Sequence, residues 1–535
     1  MKNFLWWRDG VIYQIYPRSF LDSNADGIGD IPGIISKLDY IKDMGVDAIW
    51  LSPIYPSPDV DFGYDVSDYC AIDPKYGNMQ DFDVLIKQAH KRDIHIIMDL
   101  VLNHTSDKHP WFLDSRKSRG SKYRDYYIWK DPKPNGKPPN NWLSVFGGSG
   151  WELDANTGQY YFHHFFREQP DLNWRNPDVR KEMLDIFRYW LDKGVDGFRL
   201  DVFSAYFKHK DLPDNPKKLW GIRPHDRMLH LYDVDQPEMI PLLQEIRSLL
   251  DSYPERYVVG ETFMATYEKA ARYCGDDLLH AAFSFEEFLG GKWKANHFLK
   301  AIKKWERILE GKAWPNYVLN NHDVVRSATR YKAEEQDTRL KVAAALLLTL
   351  RGTPFLYYGE EIGMREAKFK KEEILDPVGR YYWPFYKGRD GCRTPMQWDV
   401  TENTGFSKVK PWLPVNPDHQ ERNVEKQSKD EHSLLSFYKK LLKLRRDHPT
   451  LMRGNFELAT QMPHNTLIYF RCLPEEQIMV MLNFDKKQKK VNLERIGALA
   501  CDLLLSSDGE AVSPDKCDTY WLKGNEASIF SLRKI

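Results

Sequence analysis

A helix end, a short turn and an apolar strand recur along this chain. "YIKDMGVDAIWLSPIY" ends a helix at Gly45 and predicts a strand over 46–51. "LIKQAHKRDIHIIMDLVLNH" predicts a strand over 94–102, "IFRYWLDKGVDGFRLDVF" one over 195–203, and "IRSLLDSYPERYVVGETF" one over 257–261. "GVIYQIYPRSF", "LLHAAFSF" around His280, "PNYVLNNHD" and "RGTPFLYYGEEIGM" complete the set of candidate strands, with helical patterns between most of them. Strands that alternate with helices form a parallel sheet. Eight such units favour a closed (β/α)8 TIM barrel in the α/β class over an open doubly wound sheet. No GxGxxG follows the first strand, which argues against a dinucleotide fold.

One strand breaks the apolar rule. In "GFRLDVF", Arg199 and Asp201 are two residues apart and share a side, while Phe198 and Leu200 take the other. The preceding helix is orthodox: Asn176 caps it, Pro177 opens it, Val179, Met183, Ile186 and Trp190 form its stripe, and Gly194 stops it. A structural ion pair would explain the two charges. So would a carboxylate held ionised by a guanidinium at a functional strand end. In a barrel, functional groups gather at the C-terminal ends of the strands. Asp99, Asn103 and His104 stand at one such end, Arg199 and Asp201 at another, Glu261 at a third, and His322 and Asp323 at a fourth. Packing does not explain this clustering, because unpaired buried charge is costly.

The spacing of the units suggests three domains: a barrel over 1–102 and 174–454, an inserted domain B over 103–173 after the third strand, and a C-terminal antiparallel β-sandwich over 455–535. "GQYYFHHFF" supplies short strands to the insertion, and "NTLIYFRCL", "QIMVMLNF" and "ASIFSLRKI" supply β-type runs to the last domain. "RYKAEEQDTRL" and "KDEHSLLSFYKKLLKLRRDHP" read as charge-rich helices with solvated faces. The formal net charge of zero gives no electrostatic case for a nucleic-acid partner or an anionic membrane. No segment approaches the ~18 apolar residues of a membrane span, and "MKNFLWWRDG" lacks the apolar run of a signal peptide. The six cysteines are scattered without a CxxC pair and read as reduced, buried thiols of a cytoplasmic protein.

Carboxylates at neighbouring strand ends suit glycosidic bond cleavage, which needs one carboxylic acid and one carboxylate around the anomeric carbon. Arg199 should favour ionised Asp201, the natural nucleophile. Glu261 follows the apolar "YVVG", and burial beside an anion should raise its pKa, suiting it to general acid/base work. Asp323 would hold ring hydroxyls, with His104 and His322 as hydroxyl donors.

The motifs "DLVLNH", "GFRLD", "GET" and "NNHD", together with "YQIYPRSF", "GTPFLYYGEEIGM" and "RTPMQWD", resemble those of the α-amylase superfamily, glycoside hydrolase family 13. The resemblance spans about 4–420 and is strongest to the α-glucosidase and oligo-1,6-glucosidase branch, whose marker "QPDLNW" matches. It implies a retaining double displacement, with the glucosyl unit on Asp201, Glu261 as acid then base, Asp323 stabilising the transition state and Arg199 orienting the nucleophile. It implies a pocket in which Asp61 and Arg389 grip the terminal glucose beside Tyr64, although Arg393 is close enough in sequence to compete with Arg389. Phe146 and Phe165 match wall aromatics, with core packing as the competing reading. The implied function is an exo-acting α-glucosidase on small α-glucosides, with no obligate protein partner and no organic cofactor. Val202 after the nucleophile goes with α-1,6 preference, whereas the loop "SAYFKHKDLPDNPKKLWGIRPHDRMLHLYDVDQPE" looks more like that of α-1,4 or mixed enzymes, so linkage stays open. A transglucosylase or sucrose isomerase would use the same intermediate. "VVRSATRYK" lacks the Arg-Leu-Asp-Arg run that resembles isomerases. A non-catalytic transporter-associated relative would show an eroded triad and a membrane span.

"DSNADGIGD" sets Asp22, Asn24, Asp26, Ile28 and Asp30 at alternate positions. Oxygen ligands at this spacing can wrap a hard cation. Gly33 stands where an EF-hand needs its bidentate Glu, and a hydrated acidic turn is the competing reading. The resemblance implies a structural Ca²⁺, with Mg²⁺ as the alternative and Ile28 giving its carbonyl.

Overall fold

The helix expected before the charged strand forms over Pro177–Asp192 in the computed structural model, which describes residues 4–221, 223–263, 266–283, 288, 290–333, 337–498, 501–509 and 519–533. The Asn176 side chain accepts a hydrogen bond from Asp178 N and Pro177 occupies the first turn. Val179, Met183, Ile186 and Trp190 are buried, and Gly194 takes φ +94° past the helix end. This helix delivers the chain to the central sheet.

That sheet has eight strands: β1 Ile12–Ile15, β2 Ala48–Leu51, β3 His95–Leu100, β4 Gly197–Leu200, β5 Tyr257–Glu261, β6 Ala281–Phe283, β7 Asn316–Val318 and β8 Thr353–Tyr357. Their order is β7-β8-β1-β2-β3-β4-β5-β6, and every ladder is parallel. The end strands β6 and β7 lie against each other, so the sheet curls into the expected (β/α)8 barrel. Ile97, Tyr257, Val259, Phe283 and Phe355 fill its interior with Trp50. Phe198 and Leu200 point outward into the helix layer, where Phe198 meets Phe187 edge-on at 5.0 Å. The period of two therefore turns Asp99, Arg199, Asp201 and Glu261 toward the barrel axis. Register sets Asp99 beside Arg199 and Arg199 beside Val259.

β4 is shorter than its expected span. It stops at Leu200 because Val202 takes a left-handed φ of +33° and starts a 3-10 turn over Phe203–Ala205. A β-branched residue in that region carries strain. β3 likewise ends at Leu100 rather than at 102.

Between β3 and β4, Trp129–Lys130, Gln159–Phe162 and Trp151–Asp154 form a three-stranded antiparallel sheet. From Asn455 the chain builds a five-stranded antiparallel sheet and a separate two-stranded one. Alternate residues of the strand Thr466–Cys472 serve two cores: Leu467 and Tyr469 face the barrel layer, while Ile468 and Phe470 face Val491 and Leu522 of the small sheet. The stretch "RYKAEEQDTRL" is not one helix. It turns at Tyr331 and Lys332, and helix begins only at Thr338, while 334–336 lie outside the described residues. The second charge-rich stretch is helical over Leu434–Asp447 and buries one face, including Leu435, Tyr438 and Leu442. The five described cysteines are free, but Cys70 is exposed, contrary to the expectation of buried thiols; Cys517 lies outside the described residues.

The turn after β4 leaves no room opposite it. A Cβ on Gly260 would stand 2.4 Å from the Phe203 ring and 2.7 Å from the Leu279 side chain. Gly260→Ala should therefore destabilise the protein by ~1–3 kcal/mol through overpacking, seen as a lower thermal midpoint. An unchanged midpoint would show that the ring moves aside at no cost.

Candidate active site

Arg199 is 2% exposed, and its guanidinium holds three carboxylates. Nη1 donates to Asp99 Oδ1 at 2.6 Å and to Asp201 Oδ1 at 2.7 Å, and Nη2 donates to Glu261 Oε2. Glu261 thus sits on a cation, not simply beside an anion as expected from the sequence. The end of β5 brings it within reach of the same guanidinium. Trp50 supports the cluster from β2, its ring centroid 5.2 Å below the guanidinium carbon.

Of these groups Asp201 and Glu261 line a pocket of about 200 Å³. Burial pushes the Asp201 carboxyl up to about 7; Arg199 pulls it down, but Asp99 and Asp323 push it up again. Arg199 does favour the charged form, as expected, but burial outweighs it, helped by the neighbouring acids Asp99 and Asp323. Burial also raises Asp323, but the His322 ring, whose Nε2 lies 3.3 Å from Oδ2, and the guanidiniums of Arg393 and Arg389 outweigh that and hold it well below the ordinary carboxylate range. Arg393 Nη2 donates to Asp323 at 2.7 Å.

The two arginines divide their work. Arg389 Nη2 donates to Asp61 Oδ1 at 2.7 Å, the clamp expected for that residue, whereas Arg393 serves Asp323. Asp376 fixes Arg389 from behind, accepting from its Nε at 3.1 Å and its Nη2 at 3.0 Å. Phe146 lies 5.3 Å from the Arg389 guanidinium carbon. Phe165 and Val202 belong to one small apolar cluster with Val145, and Phe146 packs against it. Phe146, Phe165 and Val202 all line the pocket, so wall and packing roles coincide.

Both histidines are neutral, because burial lowers His104 to about 4 and His322 to about 3. His322 works in a relay: Gln14 Nε2 donates to its Nδ1 at 2.8 Å, its Nε2 lies 2.6 Å from the Tyr64 hydroxyl, and that hydroxyl donates to Asp99 at 3.1 Å. The relay assigns the ring proton to Nε2. His104 lines the pocket, yet both of its ring nitrogens already have protein neighbours, Asn103 Nδ2 at 3.1 Å and Tyr64 O at 3.0 Å.

Several residues were not read from the sequence. Asp376 and Gln14 are distant in sequence from what they hold. Gln169 belongs to "QPDLNW", and its amide lies 3.3 Å from Asp61 Oδ2, 3.3 Å from Tyr64 O and 3.1 Å from His104 Nε2. Phe263 and Tyr386 line the pocket. Their nearness to Glu261 and Arg389 in the chain was the available signal.

The acidic loop lies elsewhere. Asp22 accepts from the amides of Asn24, Ala25 and Gly27, Asp26 accepts from Ile28 N, and Asp30 caps the helix Ile31–Ser36 through Gly33 N. Among the described residues no three His, Cys, Asp or Glu side chains converge as a metal cage. The loop carries carboxylates at Asp22, Asp26 and Asp30 with no ion-pair partner among the described residues. Both Asp22 oxygens and Asp30 Oδ2 already accept two hydrogen bonds each, whereas both Asp26 oxygens, Asp30 Oδ1 and the Asn24 amide oxygen accept one and keep a lone pair for a cation, so the fit to an oxygen-seeking ion rests on Asn24, Asp26 and Asp30 with the Ile28 carbonyl.

Residues 14–454 match the family model for the α-amylase catalytic domain. The chain is 42% identical to an oligo-1,6-glucosidase of Parageobacillus thermoglucosidasius, over 99% of both chains. It is 41% identical to an α-glucosidase of Pediococcus pentosaceus, over 98% of this chain and 99% of the relative. Among solved structures, an α-glucosyl transfer enzyme, XgtA, superposes with a TM-score of 0.94 at 40% identity, covering 99% of this chain and 100% of the other. The trehalulose synthase MutB from Pseudomonas mesoacidophila MX-45 does so with a TM-score of 0.90 at 34% identity and the same coverage.

The raised pKa of Asp201 makes a stability prediction. Folding favours the protonated carboxyl, so its contribution is fully present below the ordinary value of 3.8 and is lost as pH rises through about 7. Asp201→Asn stays neutral, and its thermal midpoint should gain on that of the parent as pH goes from 6 to 8. Parallel midpoint curves over that range would show that Arg199 compensates the charge completely.

Proposed function

We infer the reaction from one premise: this chain belongs to the α-amylase family. It is a glycoside hydrolase by that membership. Our reading is an exo-acting α-glucosidase that releases terminal α-linked glucose from small oligosaccharides by a retaining double displacement. The observation that carries it is the pairing of Asp201 and Glu261 on one guanidinium at the floor of a small pocket. Retaining enzymes need their two carboxyl groups ~5–5.5 Å apart, and two acids on adjacent nitrogens of one guanidinium suit that spacing.

In this scheme Asp201 attacks the anomeric carbon while Glu261 gives a proton to the departing oxygen. Arg199 releases Glu261 as the glycosidic oxygen takes its place, and holds Asp201 in line. Water then enters, Glu261 takes its proton, and the glucosyl–Asp201 bond breaks. Asp323, kept ionised, suits binding of ring hydroxyls. The Asp61–Arg389 pair closes the far end of the pocket, which suits single terminal glucose units over chain interiors. Relatives named oligo-1,6-glucosidase and α-glucosidase support the reaction class, and Val202 and the loop after the nucleophile still leave linkage between α-1,6 and α-1,4. Transfer to a sugar acceptor is the second reading, favoured by the likeness to a glucosyl transfer enzyme and a trehalulose synthase. Both readings share the covalent step. Free thiols suit a cytoplasmic location, and among the described residues no helix is long and apolar enough to cross a membrane.

Treatment with a fluorinated glucoside that traps the intermediate should place the label on the peptide carrying Asp201. A label on any other side chain would overturn the scheme. We also read the loop Asp22, Asn24, Asp26, Ile28 and Asp30 as a structural Ca²⁺ site, with Mg²⁺ as the weaker fit. Chelation should then lower the thermal midpoint, and Ca²⁺ should restore it, with turnover at low temperature little changed. A midpoint indifferent to both would remove the metal from the account.

A further inference from the structure

A second cavity, of about 300 Å³, opens on the flank of the barrel where the segment 67–70 meets the helix Pro110–Ser115 and the helix Pro177–Asp192. It shares no lining residue with the catalytic pocket. Tyr69 separates the two: its hydroxyl donates to Val101 O and His104 O behind the catalytic wall. The volume falls at the lower end of the ~300–1,000 Å³ usual for small-molecule sites.

The protein satisfies the polar groups of this cavity only in part. His109 is 6% exposed and its Nδ1 accepts from Trp111 N at 3.2 Å. The ring proton therefore sits on Nε2, which has no protein acceptor among the described residues. Burial lowers His109 to about 3, so the ring is a neutral donor. Half-buried Glu182 and exposed Asp68 also line the cavity; Asp68 Oδ1 accepts from Cys70 N at 2.9 Å, and neither carboxylate has an ion-pair partner among the described residues. Trp111 is half-buried and offers a ring beside them, 4.4 Å from His109 between centroids. Cys70 is exposed as a residue, but partial desolvation of its thiol at the cavity wall, with Asp68 and Glu182 adding to it, pushes it up to about 11, which disfavours the thiolate.

The ligand must satisfy donor and acceptors together. An alkylammonium ion would please the carboxylates and the aromatic ring but leave His109 Nε2–H without an acceptor. An anion would accept from His109 but meet two carboxylates. A neutral polyol does both, because each hydroxyl donates and accepts, and its C–H face suits an indole ring. We propose that this cavity is a second, non-catalytic saccharide site, holding one sugar ring between Trp111, Glu182, Asp68 and His109. The inference rests on the glucosidase reading only for the choice of probe.

The test titrates the Asp201→Asn protein with maltotriose by isothermal calorimetry. Two classes of site are expected, and Trp111→Ala or Glu182→Gln should weaken one class at least tenfold and leave the other. In the otherwise unaltered enzyme, both substitutions should keep kcat and KM on a single-glucose chromogenic substrate within twofold. Glu182→Gln removes only a half-buried charge, so it answers the question if Trp111→Ala fails to fold. A single binding class, or two that survive both substitutions, would overturn the site. Choline binding that depends on Trp111, with no sugar counterpart, would overturn the polyol assignment. Loss of all chromogenic turnover in the parent enzyme would strike the catalytic reading alone, since the calorimetric comparison does not depend on it.

Discussion

A guanidinium buried at the mouth of the barrel is the contact on which the rest depends. An isolated buried charge costs several kcal/mol, so Arg199 is tolerable on β4 only because Asp99, Asp201 and Glu261 surround it. Those acids come from β3, from the residue just past β4, and from β5. The same arginine therefore stitches three adjacent strands and sets the distance between the two acids that the chemistry needs. Stability and reactivity are held by one residue, and neither can be altered there without the other.

The shared cation also explains why the acids differ. Asp201 competes for Arg199 and is pushed up by burial, whereas Asp323 has Arg393 to itself and Arg389 nearby, and is held down. Two chemically identical side chains thus take different protonation through their neighbours. The histidines between them stay neutral and act as hydrogen-bonding spacers, tied to Tyr64 and Asp99 rather than adding charge.

The pocket walls come from three parts of the chain. Asp61 lies after β2, Phe146 and Phe165 lie in the insertion between β3 and β4, and Arg389 lies beyond β8. Asp376 keeps Arg389 in place, and the Gln169 amide, 3.3 Å from Asp61 Oδ2, does the same for Asp61. The pocket of about 200 Å³ is thus an outcome of loops meeting over a rigid floor, in keeping with barrels whose chemistry varies through their loops.

Much of this was legible in one dimension. The period of two put Arg199 and Asp201 on one face, and the alternation of helix and strand put that face inside a barrel, because backbone geometry and apolar patterning are local. Strand lengths were misjudged where the backbone bends for function: β4 was expected to run to 203, but Val202 turns it after Leu200. The helical pattern of "RYKAEEQDTRL" likewise gave way to a turn at Tyr331 and Lys332.

What the chain determined by itself was which groups would stand at the strand ends and toward which side they would face. Only the folded molecule decided how they share charge: that Glu261 joins Asp201 on Arg199, that Arg389 and Arg393 take different acids, and that Asp376 backs the clamp. The reason is that side-chain direction follows from the backbone within a few residues, whereas the partner of a buried charge depends on distances set by segments hundreds of residues apart, such as Asp61 and Arg389, which are 328 positions apart.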